Sequence, residues 1–323
     1  MNFTKRAAMF VVTVAMATSP ALAQEDLKVG AIYMDAQGFY AGVRKGIQTA
    51  AQDAGRKLDI VETNAQGDVS KESTFIDSLI SAGVQAIVVS PVSADGSYRA
   101  IRRAHDAGIP VVCYNTCLND ADMKEYISAY AVGDPFEFGS KLGDAAAEYF
   151  IAQKKDAPKI AVLNCEFVEV CVTRRKGFEQ ALMAKVPGAK IVANQEGAVL
   201  DKAVSVASTM LSSNPDIDAF FGEAGGATLG AARAVRSQGK AGQVVVFGGD
   251  MTTEIAQELS DNSVIKAVVD ISGQGLGKLA LEQAIKSIDG TPPEGIKVAY
   301  DIDVYKSSDD GKAWLEAHAD GIP

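Results

Sequence analysis

LKVGAIYMDAQGFYAGVRKGIQTAAQDAG, Leu27 to Gly55, is the stretch that decides how this chain folds. It opens on a short apolar run, Val29 to Tyr33, rich in β-formers and too brief for a helix. A polar break follows at Asp35-Ala36-Gln37-Gly38. Phe39, Val43, Ile47, Ala50, Ala51 and Ala54 then recur at helical spacing, and Gly55 stands where a helix stops. Strand, loop and helix make the first half of a βαβ unit. In such units ligands sit off the carboxyl ends of the strands, where the loop meets the next helix. This loop sets two rings, Phe39 and Tyr40, beside the hydrogen-bonding groups of Asp35 and Gln37. Rings with polar edges suit a sugar, which has apolar C–H faces and a rim of hydroxyls. The plain alternative is that Phe39 only packs the first helical turn.

The same grammar repeats downstream. Leu58–Val61 reads as a strand, Lys71–Ala82 as a helix stopped by Gly83, Ala86–Val89 as a strand, Ser97–Ala107 as a helix stopped by Gly108, and Val111–Tyr114 as a strand. Strands alternating with helices imply right-handed crossovers and a parallel sheet covered on both faces. After the strand at Ile127–Val132, Asp134-Pro135-Phe136-Glu137 has the form of a capping box with proline at the first helical position. That helix runs to about Gln153. A second series then follows, with strands at Ile160–Leu163, Ile191, Ala219–Phe221, Val244–Phe247 and Ile265–Asp270. Its helices fall at Thr173–Ala184, Asp201–Ser213, Ala227–Gln238 and Thr252–Leu259. The helix Gly275–Ile288 and the apolar run Val298–Val304 return to the first series. The fold class is α/β: two similar doubly wound parallel-sheet lobes joined by hinge strands, with a ligand cleft between them. The N-terminal lobe takes residues 25–131 plus 271–300, and the C-terminal lobe 132–270 plus 301–323. Lys306–Pro323, with the single Trp, Trp314, reads as a tail without an assigned role.

Composition sets the limits. The chain has 323 residues, is 47% hydrophobic and 22% charged, and so can bury the cores of two domains. A formal net charge of −10 argues against nucleic acid or anionic lipid as partner, since either needs a basic face. Residues 1–23 have the form of a cleavable export signal. Lys5 and Arg6 make the basic start, Ala7–Ala17 the apolar stretch and Ala21-Leu22-Ala23 the cleavage site, so the mature chain begins at Gln24. No other run approaches the ~20 apolar residues of a membrane span.

The four cysteines form two local pairs, Cys113 with Cys117 and Cys165 with Cys171. In an exported chain both read as short-loop disulfides, with a buried thiol left open for Cys113, which sits in a strand. Neither spacing is CxxC, and the two histidines, His105 and His318, are distant in sequence, so no metal site is expected. No cofactor motif is present either. Gly273–Leu279, GQGLGKL, is one residue short of a P-loop and ends in Leu. In Gly222–Gly226, GEAGG, Glu223 would repel pyrophosphate, and the glycines there suit close approach to the backbone. No GxSxG elbow occurs, and neither histidine lies on a strand-end loop, so a Ser-His-Asp hydrolase lacks its base. Polar residues at the strand ends remain: Asp35, Gln37, Ser90, Asn115, Thr116, Asn164, Glu166, Glu223, Asp250 and Asp270, with Arg174 and Arg175 at a helix start. Together they can form a polar cleft, in which a carboxylate pair such as Glu223 and Asp250 also leaves acid–base chemistry open.

With those residues in view the chain resembles the sugar-binding periplasmic proteins of ABC importers, the ribose- and galactose-binding group of type I periplasmic binding proteins. The resemblance spans about residues 25–305. It rests on the Phe39-Tyr40 pair, AGIPVVCYN at Ala107–Asn115, RRKGF at Arg174–Phe178, TLGAARAVRSQGK at Thr228–Lys240 and VVVFGGDMT at Val244–Thr252. It implies ligand contacts at Gln37, Phe39, Tyr40, Asn115, Arg174, Glu223, Asp250 and Asp270, and also at Thr116, Phe167 and Arg175. The group's usual Asp-Arg after the fourth strand is Asn115-Thr116 here, and its Asn-Asp after the third strand of the second lobe is Ala224-Gly225. These departures point away from ribose and towards another pentose, a furanose or a polyol. The implied function is a monomeric periplasmic solute-binding protein that delivers its ligand to a membrane permease, with a chemoreceptor as a further candidate partner. The competing readings are an exported carbohydrate-active enzyme using the cleft carboxylates and a ligand-sensing module for a chemoreceptor. A transcription regulator would need a basic helix-turn-helix where the export signal stands.

Overall fold

The structure, a computed structural model, describes residues 26–34, 36 and 38–323. The export signal and the candidates Asp35 and Gln37 lie outside the described residues. The first lobe starts with strand β1 (Leu27–Tyr33), helix α1 (Phe39–Asp53), β2 (Leu58–Asn64), α2 (Val69–Ser81), β3 (Ala86–Val89), α3 (Tyr98–Asp106) and β4 (Val111–Tyr114). The helices end where the glycines stand: Gly55, Gly83 and Gly108 have φ of +64°, +65° and +77°, which a Cβ resists. A short helix α4 (Asp120–Tyr126), capped by Asn119, precedes β5 (Ala129–Val132). Sequence periodicity misses α4, which is too short to show a repeat.

The second lobe repeats the plan with α5 (Pro135–Ala152), β6 (Lys159–Asn164), α6 (Glu169–Lys185), β7 (Lys190–Glu196), α7 (Leu200–Ser213), β8 (Ala219–Gly222), α8 (Gly225–Ser237), β9 (Val245–Gly249), α9 (Thr253–Asp261) and β10 (Ile265–Asp270). Asp134 caps α5 by accepting from the Glu137 N–H at 2.9 Å. The reciprocal half of the expected capping box gives way to an i,i+4 ion pair, since the Glu137 carboxylate meets Lys141 at 3.0 Å. The chain then returns through α10 (Gly273–Ile288) and β11 (Lys297–Ala299), and finishes with β12 (Asp303–Tyr305) and α11 (Ser308–Ala317).

Each lobe is built on one six-stranded sheet, ordered β2-β1-β3-β4-β5-β11 and β7-β6-β8-β9-β10-β12. All pairs are parallel except β10 with β12. The run Val298–Val304, expected to return whole to the first lobe, is divided: β11 pairs with β5, and β12 pairs with β10 of the other sheet. The reason is directional. A strand running parallel to β5 reaches the edge where the sheets face each other, crosses, and must run away from that edge in the second sheet, antiparallel to β10. The lobes are thus linked after β5, after β10 and between β11 and β12.

The strand order reverses at β1 in one sheet and at β6 in the other, which opens a crevice at the carboxyl ends of the strands. Two equivalent helix pairs hold these edges, α1 on α10 and α6 on α5. Both pack backbone on backbone. A Cβ on Gly277 would lie 2.1 Å from the Val43 carbonyl, and one on Gly139 would lie 1.8 Å from the Arg174 carbonyl. Gly273 and Gly277 of the P-loop-like stretch therefore serve helix packing, and Gly275 makes room for the Tyr300 ring. The assigned tail also belongs to the fold: Trp314 is 3% exposed in the outer core of the second lobe.

Candidate functional site

Between the two sheet edges lies a cavity of about 480 Å³. From the first lobe it is lined by Met34, Phe39, Tyr40, Asn115 and Thr116, and from the second by Phe167, Arg174, Asp250 and Asp270 with the Cys165–Cys171 loop. Candidates dispersed over more than two hundred residues thus meet in one space because every strand ends at the same edge.

The first-lobe wall is ring and amide. Phe39 and Tyr40 open α1 and meet edge to face at 5.2 Å, and Tyr40 meets the buried Tyr114 ring at 6.3 Å. Tyr114 is fixed in turn by donating its hydroxyl to the Ile32 carbonyl at 3.1 Å. Asn115 follows β4 in the left-handed region, with φ +58°, and its carbonyl accepts from the Tyr130 hydroxyl at 2.8 Å. The Thr116 hydroxyl donates to the Pro91 carbonyl at 2.8 Å and accepts from Ser90 at 2.8 Å, so Ser90 positions Thr116. The adjoining Cys113–Cys117 disulfide ties β4 to this loop, which settles the choice left open for Cys113.

The second-lobe wall is charged. Arg174 lies over the Phe138 ring, 3.9 Å from its centroid, and donates to the Glu223 carbonyl oxygen at 2.9 Å. Its Nη1 is also 3.4 Å from Asp250 Oδ1, while its buried Nε has no partner among the described residues. Asp250 sits after β9 with φ +56°, and its other oxygen accepts from the Gly225 N–H, at the start of α8, at 3.3 Å. Helix α9 is capped by Thr252, so Asp250 is free of that duty. Asp270 is buried and accepts from the Met251 N–H at 2.9 Å. Burial, followed by the charges of Asp250 and Asp303, pushes its carboxyl up to about 7. At neutral pH it is therefore poised to donate as well as accept.

Ser90, Asn164 and Glu166 do not line the cavity, and two of the described ligand contacts implied by the resemblance also stand off it. Glu223 directly follows β8, beneath the second disulfide loop, where one oxygen accepts from the Cys165 N–H at 2.9 Å. Burial drives its carboxyl up to about 8. It braces the loop that carries Phe167. Arg175 is held by Glu166 and by Glu179, the latter at 2.9 Å, on the face of α6 turned away from Arg174. Adjacent helical positions diverge by about 100°, which follows from 3.6 residues per turn, so one arginine of the pair faces the cavity and the other does not.

Cys165 and Cys171 are bridged, as expected for a loop beside the cleft. Their sulfurs and the Glu223 carboxylate lie within 4.8 Å of one another, but bonded sulfurs offer no thiolate pair to a metal. Phe167, 72% exposed, stands on this loop across from Phe39. Sequence reading passed over Met34, Val168, Val170, Met251 and Pro323, which also line the cavity. The methionines follow strand ends and were recoverable by position; Pro323 carried no signal.

A family model described as periplasmic binding protein domain matches residues 31–292. The ABC transporter periplasmic-binding protein YphF of Escherichia coli is 58% identical over 93% of this chain and 92% of its own length. The D-ribose/D-allose-binding protein of Pseudomonas aeruginosa is 27% identical over 80% of this chain and 81% of its own. A Mycobacterium smegmatis crystal structure in complex with β-D-fucofuranose aligns with a TM-score of 0.80 at 26% identity, covering 91% of this chain and 95% of that one.

Proposed function

This chain belongs to the periplasmic binding protein family, and on that premise we propose that it captures a small sugar or polyol and delivers it to the permease of an ABC transporter. The observation that carries the reading is the cavity itself: rings and an amide face carboxylates and a guanidinium across two separately folded sheets. Phe39, Tyr40 and Phe167 cover the apolar C–H faces of the ligand. Arg174, Asp250, Asp270 and Asn115 exchange hydrogen bonds with its hydroxyls. Charge-assisted bonds of this kind contribute about 1.5–3 kcal/mol each. Thr116 has one acceptor position left, Gln37 is a further hydroxyl contact on this proposal, and Glu223 and Arg175 act from behind the wall.

Ligand binding closes the lobes by a population shift, since only the closed form lets one ligand touch both walls. Residues 25–131 plus 271–300 move as one body against 132–270 plus 301–323, and the three connections absorb the rotation. The mature protein acts in the periplasm after cleavage behind Ala23, as a monomer, and presents its closed form to the permease and to a chemoreceptor where one is present. The family consists of solute-binding proteins, and the ligand leaves unchanged. The relatives bind aldoses and a furanose, which supports a pentose, a furanose or a sugar alcohol.

Native mass spectrometry of protein purified without added sugar, followed by calorimetry with pentoses, hexoses and polyols, tests the proposal. A one-to-one adduct of monosaccharide mass, recovered without chemical change, is the expected result. Absence of binding across the panel, or turnover of the bound sugar, overturns it.

A further inference from the structure

The chain beyond α11 leaves the lobe to which α11 is fixed. On the second lobe, the Trp314 ring stacks on His318 at 4.1 Å, and α11 presses Gly311 so closely on α9 that a Cβ would come 2.7 Å from the Ala256 carbonyl. The chain then turns at Gly321, whose φ is +73° and whose N–H donates to the His318 carbonyl at 2.8 Å. It lands on the first lobe. Lys45 of α1 meets Asp320 at 2.5 Å, and Gln274 of α10 donates to the Ile322 carbonyl at 2.7 Å. Pro323 is buried against Gly42 of α1, where a Cβ would lie 2.0 Å from the Pro323 carbonyl oxygen. The same proline lines the ligand cavity with Met34, Phe39 and Gly273.

We propose that residues 318–323 form a strap that links the lobes a fourth time, without a covalent crossing, and that Pro323 is a specificity-determining wall of the ligand cavity. The landing point fits both roles. Gln274 stands in the first turn of α10, directly after the connection that follows β10, so the strap braces a hinge at its pivot. The Lys45–Asp320 pair is half exposed and sets register more than strength. The tight seat is Gly42, because any side chain there would lift Pro323 out of the wall. With Pro323 in place the space beside Phe39 ends, which suits a single-ring sugar or short polyol and excludes a ring carrying a bulky aglycone. The ligand half of this inference rests on the sugar-binding reading; the mechanical half does not.

Three variants compared with the mature protein decide it: a chain ending at Ala319, Gly42→Val, and Asp320→Lys, which sets like charges together. Small-angle scattering and hydrogen exchange are recorded without ligand. Calorimetry follows with D-ribose, D-allose, L-arabinose and the p-nitrophenyl glycoside of whichever binds best. Truncation and Gly42→Val are expected to raise the radius of gyration and speed exchange in the first turns of α1 and α10. They should weaken the free sugar about tenfold while the glycoside gains relative to it. Asp320→Lys should shift each readout in the same direction and less. If Gly42→Val fails to fold, the truncation decides, because it removes no residue of the three buried clusters. Unchanged scattering and exchange in the truncated chain overturn the strap, and unchanged sugar-to-glycoside preference overturns the wall. If the unaltered protein binds none of these sugars, the best ligand of the wider panel of pentoses, hexoses and polyols takes their place; if that panel also fails, the sugar-binding reading and the wall fall together, and scattering and exchange still judge the strap.

Discussion

The two lobes place their fourth strands in the same frame and then fill it differently. After β4, Asn115 has φ +58° and its N–H bonds the Ala131 carbonyl at 3.2 Å; after β9, Asp250 has φ +56° and its N–H bonds the Val269 carbonyl at 3.2 Å. Asn and Asp are the side chains that tolerate this backbone best. One offers a neutral amide among aromatic rings, the other a carboxylate beside a guanidinium. The comparison teaches that strand-end geometry decides where a ligand sits, while side-chain chemistry decides which face of the ligand each lobe holds.

If the second lobe depends on its last helix as the packing implies, Trp314→Ala should be the largest single loss. A buried tryptophan removed from a close-packed core costs about 3–5 kcal/mol, so thermal melts should fall sharply, without a matching loss in Phe39→Ala. A melt unchanged from the parent would return residues 306–323 to the status of a tail.

The charged wall should also make stability depend on pH through the second lobe. Asp270 and Glu223 have carboxyls raised to about 7 and about 8, mainly by burial. A raised carboxyl contributes stability fully present below its unfolded value near 4 and lost as pH rises through the folded value. Melting temperature should therefore decline between about pH 4 and 8. Asp270→Asn should flatten the part of that decline ending near pH 7, and an unaltered profile would break the assignment.

Affinity should divide along the same line. Asp250→Ala removes a charge-assisted acceptor and should raise Kd about 10- to 150-fold. It also frees the Gly225 N–H, so a modest fall in melting temperature is expected beside the loss of binding. A melt that falls while Kd holds would make Asp250 a helix-end residue only. The smallest change belongs to the first lobe. Phe39→Ala should cost about 0.5–1.5 kcal/mol of binding through lost ring contact, measured by calorimetry, with little salt dependence. A loss larger than that of Asp250→Ala would reverse the assignment of faces to lobes.

The sequence by itself determined the two-lobe α/β plan, because short continuous apolar runs, helical periodicity and stopping glycines are local signals. Ala86–Val89, Val111–Tyr114 and Ile265–Asp270 stand as strands within the bounds their residues alone define. It also determined which residues could meet at the cleft, since strand ends in parallel sheets share an edge. Tertiary structure alone decided which way side chains turn and where distant segments land. Arg174 faces the cavity and Arg175 does not, Glu223 faces inward, and the run Val298–Val304 divides between two sheets. The stretch from Trp314 to Pro323 reaches from one lobe to the other. Those outcomes depend on contacts between residues far apart in the chain, and such contacts leave no periodicity in the sequence to read.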